Sequence, residues 1–257
     1  MPDWWTYPLL FATGVIAGAL NVIAGGGSFL TLPILIFLGL PATLANGTNR
    51  VAIVIQNLGA VWGFDRHGVL HWRWATWVAL PAIAGSVLGS WAALVVSDTT
   101  FRRLLALFMV VLSLWTLWDP LKKRNTAAQD AATAPPALTP RGRWLLAAGF
   151  FVVGIYGGFV QAGVGFLILA ATTAAGLDLV RGNALKVLVI MIFTVVSLGI
   201  FAWQGQVSWL VGLVLAAGSL AGGLMGVRLT VLKGHRWVQR MVTAAIVVMA
   251  IKLWFAP

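Results

Sequence analysis

The chain has 257 residues, is 60% hydrophobic and only 9% charged, and carries 17 Lys and Arg against six acidic residues, a formal net charge of +11. A soluble domain holds about 25% charged residues, so this composition excludes a water-facing surface over most of the molecule and makes lipid its main solvent. The positive charge does not indicate nucleic-acid binding, which needs a basic patch on a folded polar face. The basic residues stand singly or in small groups between apolar runs, as the positive-inside bias of membrane proteins produces.

Apolar runs long enough for helices fall near 7–24, 28–41, 47–64, 74–97 and 101–118, and again near 144–161, 165–177, 184–204, 208–231 and 238–255. Ahead of the first, Met-Pro-Asp-Trp-Trp-Thr-Tyr lacks the basic start of a secretory signal. A polar stretch opens with Asp119-Pro120-Leu121-Lys122-Lys123-Arg124, passes through an Ala/Thr/Pro-rich middle and reaches Arg143. It reads as a flexible linker, dividing the chain into a first transmembrane repeat (1–118), a linker (119–143) and a second transmembrane repeat (144–257). The second run is short: thirteen helical residues reach roughly 20 Å against a hydrocarbon core of about 30 Å.

The two halves are copies. Gly39-Leu40 answers to Gly176-Leu177, Asn46 to Asn183, Gly68 to Gly205, Gly85 and Gly89 to Gly222 and Gly226, and Arg103 to Arg240, at a spacing that stays near 137 residues. Five basic residues put the linker in the cytoplasm. Five crossings per half then leave the connections bearing Arg66 and Arg73, Arg181, and Lys233 and Arg236 in the cytoplasm, and the N-terminus outside; Arg102 and Arg103 run against the trend. An odd count makes the halves inverted repeats. The fold class is therefore an all-α membrane protein of two inverted repeats, about five segments each, with Gly-rich broken segments.

Gly25-Gly26-Gly27 and Gly163-Val164-Gly165 interrupt apolar runs. Glycine breaks a helix and uncovers backbone N–H groups, which lipid tolerates only where they line a cavity or meet a ligand. Helix starts at Ser28 and Phe166 suit an anion; the rival explanation of the glycines is close helix packing through small residues. Amides and hydroxyls gather near the breaks, among them Thr48, Asn49, Gln161 and Asn183. Arg50 and Lys186 each open an apolar run at corresponding places; they face either the interior or, by snorkelling, the interface. All six Asp sit near segment ends and there is no Glu, so the buried carboxylates of proton pumps are absent. With no cysteine, and with His67 and His71 in a charged connection, neither metal nor cofactor is expected.

Gly25-Gly26-Gly27-Ser28-Phe29-Leu30-Thr31-Leu32-Pro33, then Gly39-Leu40-Pro41, then Gly47-Thr48-Asn49-Arg50 resemble the first-repeat signature of the sulfite exporter TauE/SafE family. Gly154-Ile155-Tyr156-Gly157-Gly158-Phe159 through Gly163, Gly165, Gly176-Leu177-Asp178 and Lys186 resemble the second. Gln161-Ala162-Gly163-Val164-Gly165 stands where the family often has a Pro- or Gly-richer run, and Asn183-Ala184-Leu185-Lys186 lacks the usual Thr. The resemblance implies a multi-pass inner-membrane permease, not an enzyme, that exports sulfite, sulfoacetate or related organosulfonates. The expected partners are a small anion and the bilayer. The expected substrate site comprises Gly25, Gly26, Gly27, Ser28, Thr48, Asn49, Arg50, Gln161, Gly163, Gly165, Asn183 and Lys186. Rival readings are a passive anion channel, a permease for another small organic anion, a membrane enzyme and a scaffold.

Overall fold

The computed structural model describes residues 4–23, 25–70, 72–118, 139–177 and 179–232. Among these, all regular structure is helical: α1 (Thr6–Ile23), α2 (Ser28–Phe37), α3 (Ala42–Arg66), α4 (Trp72–Val95), α5 (Asp98–Trp118), α6 (Pro140–Phe159), α7 (Val164–Ala174), α8 (Leu179–Trp203) and α9 (Trp209–Leu232). The linker over 119–138, Asp178, the cluster from Lys233 to Arg240 and the expected tenth segment lie outside the described residues. The linker ends earlier than its composition suggests. Thr139 accepts a hydrogen bond from Gly142 N–H at 3.2 Å and caps α6, with Pro140 in the first turn, a strong start signal. Arg141 and Arg143 therefore belong to a helix.

Both second segments are shorter than the apolar runs that encode them. α2 has 10 residues and α7 has 11, roughly half the bilayer core in length. Each stops at a glycine in the left-handed region, Gly39 at φ +91° and Gly176 at φ +88°. In each, the next N–H reaches back to close the last turn: Leu40 to Leu35 O at 3.2 Å, and Leu177 to Thr172 O at 3.0 Å. This is the Schellman closure, built identically in both halves.

The halves are interleaved. α1 packs along α9, and α6 packs along α4; α3 lies against α9, and α8 against α4; α3 and α8 meet in the middle. Exchanging the halves turns each of these contacts into another of the set. The first helix of each half thus rests on the fourth helix of the other, at backbone distance. A Cβ on Gly18 of α1 would strike Ser219 O, and one on Gly222 of α9 would strike Val15 O. Across the other pair, a Cβ on Gly85 would strike Phe151 O and one on Gly158 would strike Ser86 O. Small residues at four-residue intervals permit this approach, so Gly85, Gly89, Gly222 and Gly226 serve packing.

α1, α4, α6, α8 and α9 each contain a stretch long and apolar enough to cross a membrane. α3 is different. It runs 25 residues, yet its middle carries Asn46, Thr48, Asn49, Arg50, Gln56 and Asn57, all buried. A helix this polar is tolerated in lipid only when other helices enclose it, and α3 is packed by α9, α8, α2 and α5. The outer surface is apolar, with exposed Leu9, Ile16, Leu80, Leu88, Leu107, Val152 and Leu213. Exposed Trp4, Trp5, Trp62, Trp72, Trp144, Trp203 and Trp209 cluster at helix ends, as in the aromatic belts of membrane interfaces.

The interleaved packing makes a checkable claim. Gly85→Val or Gly222→Val forces a side chain into a facing carbonyl and should cost ~3 kcal/mol or more. Gly199→Ala, where a Cβ meets nothing within 4 Å, should be neutral or slightly stabilising. Thermal melts of the purified protein in detergent separate the two groups.

Candidate functional site

The breaks between α1 and α2 and between α6 and α7 come together at the centre. Gly25, at φ +92°, and Gly165 touch backbone to backbone: a Cβ on Gly25 would lie 2.6 Å from Gly165 Cα, and one on Gly165 would lie 2.5 Å from Gly25 Cα. Phe29 and Phe166, in the first turns of α2 and α7, stack with ring centroids 6.2 Å apart. A Cβ on Gly163 would run into the Phe29 ring, and one on Gly27 into Ala17 O of α1. The side-chain directions of these four glycines are therefore filled by protein. Two helix N-termini, each carrying a partial positive charge, are drawn to one place.

The cations stand deeper than expected. Arg50 and Lys186 are each 0% exposed, so neither snorkels. Lys186 of α8 donates to Asn21 O at 2.9 Å, Val22 O at 2.8 Å and Asn183 Oδ1 at 2.6 Å. All three ammonium donors are used, two of them on carbonyls in the last turn of α1. Arg50 of α3 does the same for the other half. Its Nη1 donates to Gln161 Oε1 at 2.7 Å and Gly157 O at 3.3 Å, and its Nη2 donates to Gly158 O at 2.5 Å and Asn46 Oδ1 at 3.5 Å. Gly157 and Gly158 lie in the last turn of α6. The guanidinium also sits over the Phe201 ring, 4.5 Å from its centroid, a cation–π placement.

Each cation thus caps the first helix of the opposite half, where four carbonyls lack intrahelical partners and the dipole is negative. The roles correspond although the positions do not. Lys186 stands as far into α8 as Asn49 stands into α3, and Arg50 is one residue further on. One residue turns a helix by 100°, so the expectation that Arg50 and Lys186 occupy the same place is corrected by one position.

The remaining expected residues divide. Asn183 is oriented by Lys186. Asn49 is held by the Thr31 hydroxyl, which donates to Asn49 Oδ1 at 2.6 Å. Gln161, at φ +65°, links Arg50 to Thr194, donating from Nε2 to Thr194 Oγ1 at 2.5 Å. Ser28 is buried in the first turn of α2, and Gly26 is buried beside it. Thr48 faces elsewhere: its hydroxyl accepts the Ser208 N–H at 2.9 Å and ties α3 to the start of α9. Asn49 Nδ2, Arg50 Nε, Asn57 Nδ2 and Asn183 Nδ2 are sealed from solvent without a hydrogen-bond partner. Ordinarily each such group costs about 1–3 kcal/mol.

Several contributors lie outside the expected site residues. Asn46 donates to Phe159 O at 2.8 Å, Ser90 hydrogen-bonds Ser197 at 2.7 Å, and Tyr156 donates to Ala162 O at 2.5 Å. Lone polar residues in apolar runs were the available signal for these. The acceptor carbonyls of Gly157 and Gly158 gave none. The described Asp residues are engaged at helix ends. Asp65 accepts from Trp72 Nε1 at 3.2 Å, and Asp98 pairs with Arg102 at 2.8 Å and accepts from Ala42 N–H. His67 ends α3 with Nδ1 2.7 Å from Gly63 O, and among the described residues no group of metal-ligating side chains occurs.

The family model for the sulfite exporter TauE/SafE matches residues 10–253. The chain belongs to that family. It is 28% identical over 253 residues to a probable membrane transporter protein of Haemophilus influenzae, covering 96% of each chain. It is 26% identical to the probable membrane transporter protein ORF9 of a Sinorhizobium species, over 96% of this chain and 92% of that one. It is 27% identical to the probable membrane transporter protein YfcA of Escherichia coli, over 96% and 89%. No solved structure matches it. As a TauE/SafE member it is a multi-pass membrane transporter, and the paired caps lie at the two signature breaks.

If the caps hold the breaks together, removing one strands buried carbonyls. Arg50→Gln and Lys186→Met should each lower stability by ~3 kcal/mol, read as a reduced melting temperature in detergent. Arg103→Gln, at an exposed position, should melt like the wild type. A wild-type melt for both buried variants would refute the capping role.

Proposed function

We propose that the protein exports small sulfur-containing oxyanions, sulfite and organosulfonates such as sulfoacetate, across the inner membrane. The supporting observation is the pair of fully buried cations, Arg50 and Lys186, set beside two helix N-termini with no buried carboxylate among the described residues. The helix ends they cap offset only about half a charge each. A net positive field remains at the centre, and burying such charge costs several kcal/mol per ion unless a counter-charge arrives. A permeating anion is that counter-charge. Its site is taken to be the N-terminal turns of α2 and α7 around Gly25–Ser28 and Gln161–Gly165, with Asn49, Arg50, Asn183 and Lys186; Thr48 supports it from behind.

The exchange of contacts between halves favours a pseudo-twofold axis, and five crossings per half would lay that axis in the membrane plane as inverted repeats. The substrate then sits between two halves that can tilt against each other. Export needs no coupling ion in principle, since an inside-negative potential of 100 mV favours exit of one negative charge by about 2.3 kcal/mol.

Flux into proteoliposomes tests this directly, with a panel of sulfonates, sulfite, sulfate and carboxylates. Saturable, exchange-stimulated sulfonate flux is the expected result. Linear, unsaturable flux would make the protein a channel, and carboxylate-only flux would move it to another substrate class. Orientation is tested with single cysteines at Trp4, which is exposed, Ala128 and Gln206. An impermeant thiol reagent applied to whole cells should label 4 and 206 and spare 128; the reverse pattern would invert the topology.

A further inference from the structure

The two buried cations do more than carry charge: each draws the acceptors around it into hydrogen bonds. An ammonium and a guanidinium can only donate. Lys186 therefore fixes Asn183 with Oδ1 towards itself and occupies Asn21 O and Val22 O. Arg50 likewise fixes Gln161 and Asn46 with their oxygens inward and occupies Gly157 O and Gly158 O. The last carbonyl of α6, Phe159 O, is taken by Asn46. The Asn49 oxygen is held by Thr31, and the Thr48 hydroxyl already accepts from Ser208.

The side-chain atoms left here without any partner are of one kind. Asn49 Nδ2, Arg50 Nε and Asn183 Nδ2 are N–H donors without partners, on residues no more than 1% exposed. They belong to the facing helices α3 and α8. The Lys186 stem, one turn from Asn183, passes the start of α7, 3.1 Å from where a Gly165 Cβ would lie. The unbonded N–H groups of a helix start are donors too. Ser28 is the one group among these that can donate or accept.

We infer that this centre is a donor-rich site, which favours oxyanions carrying no acidic proton. Sulfonates and the sulfite dianion meet every N–H with a bare oxygen. Hydrogensulfite, dihydrogen phosphate and bicarbonate bring an O–H that must compete for acceptors already engaged, and leave an unpartnered N–H facing a proton, a mismatch that a site with buried donors penalises. Asn49 and Asn183 are then specificity residues, their amides turned outward by Thr31 and Lys186. This inference rests on the anion-transport reading above and adds a rule for which anions pass.

The test uses the intact purified protein in detergent. Competition binding is measured for methanesulfonate, which has no proton to lose, and for sulfite and phosphate across their second ionisations. Each affinity is taken as a ratio to methanesulfonate at the same pH, so that titration of the protein cancels. The sulfite ratio should fall about tenfold for each pH unit below its second ionisation, and phosphate should be excluded wherever dihydrogen phosphate dominates. Asn49→Asp supplies an acceptor and should weaken methanesulfonate at least tenfold while raising dihydrogen phosphate relative to it. A sulfite ratio that stays flat with pH would overturn the donor-rich site, whether or not the variant folds, and would leave anion transport standing. Binding of none of the oxyanions would overturn both.

Discussion

Lipid offers no hydrogen bonds, and the whole arrangement follows from how this chain meets that constraint where its helices break. α1 and α6 end inside the protein, and their last carbonyls need donors. Those donors come from the opposite half: Lys186 reaches Asn21 and Val22, and Arg50 reaches Gly157 and Gly158. Neither half can satisfy its own break with these side chains. The cross-capping makes the halves mutually dependent, and it explains why a cation can be wholly buried without a carboxylate beside it.

The same interdependence appears in the packing. Glycines bring α1 onto α9 and α6 onto α4 at backbone distance, so the first helix of each half belongs structurally to the other. Gly25 and Gly165 meet at the centre for the same reason, and the space a side chain would need there is already taken. Conserving backbone approach and admitting a ligand are different demands on glycine. At Gly25, Gly27, Gly163 and Gly165 the first demand is visible.

The two halves differ within this scheme. Arg50 and Lys186 perform matching roles from positions one residue out of register. A long guanidinium that spans Gly157, Gly158 and Gln161 and stacks over Phe201 replaces a compact ammonium that takes three acceptors. The geometry of the two head groups accounts for the difference: a planar fork covers several carbonyls from the side, whereas a point charge must approach them end-on.

The sequence by itself determined that the chain is a helical membrane protein whose two halves carry one recurring residue pattern, and it marked where the helices break. Composition, apolar periodicity and the glycine clusters are local properties, and they located nine of the helices to within a few residues at most ends. Family membership was legible for the same reason, since the signature residues are contiguous. The sequence also marked Arg50 and Lys186 as unusual. It could not tell what they touch. Whether a buried cation faces an anion, a lipid headgroup or a helix end depends on which helix arrives from the other half of the chain, more than a hundred residues away. It likewise could not separate Thr48, tied to Ser208, from its neighbour Asn49, because adjacent residues point 100° apart and only packed neighbours give those directions meaning. The carbonyls that hold the cations belong to the backbone, which every residue has, and tertiary structure alone decides which of them are left without a partner.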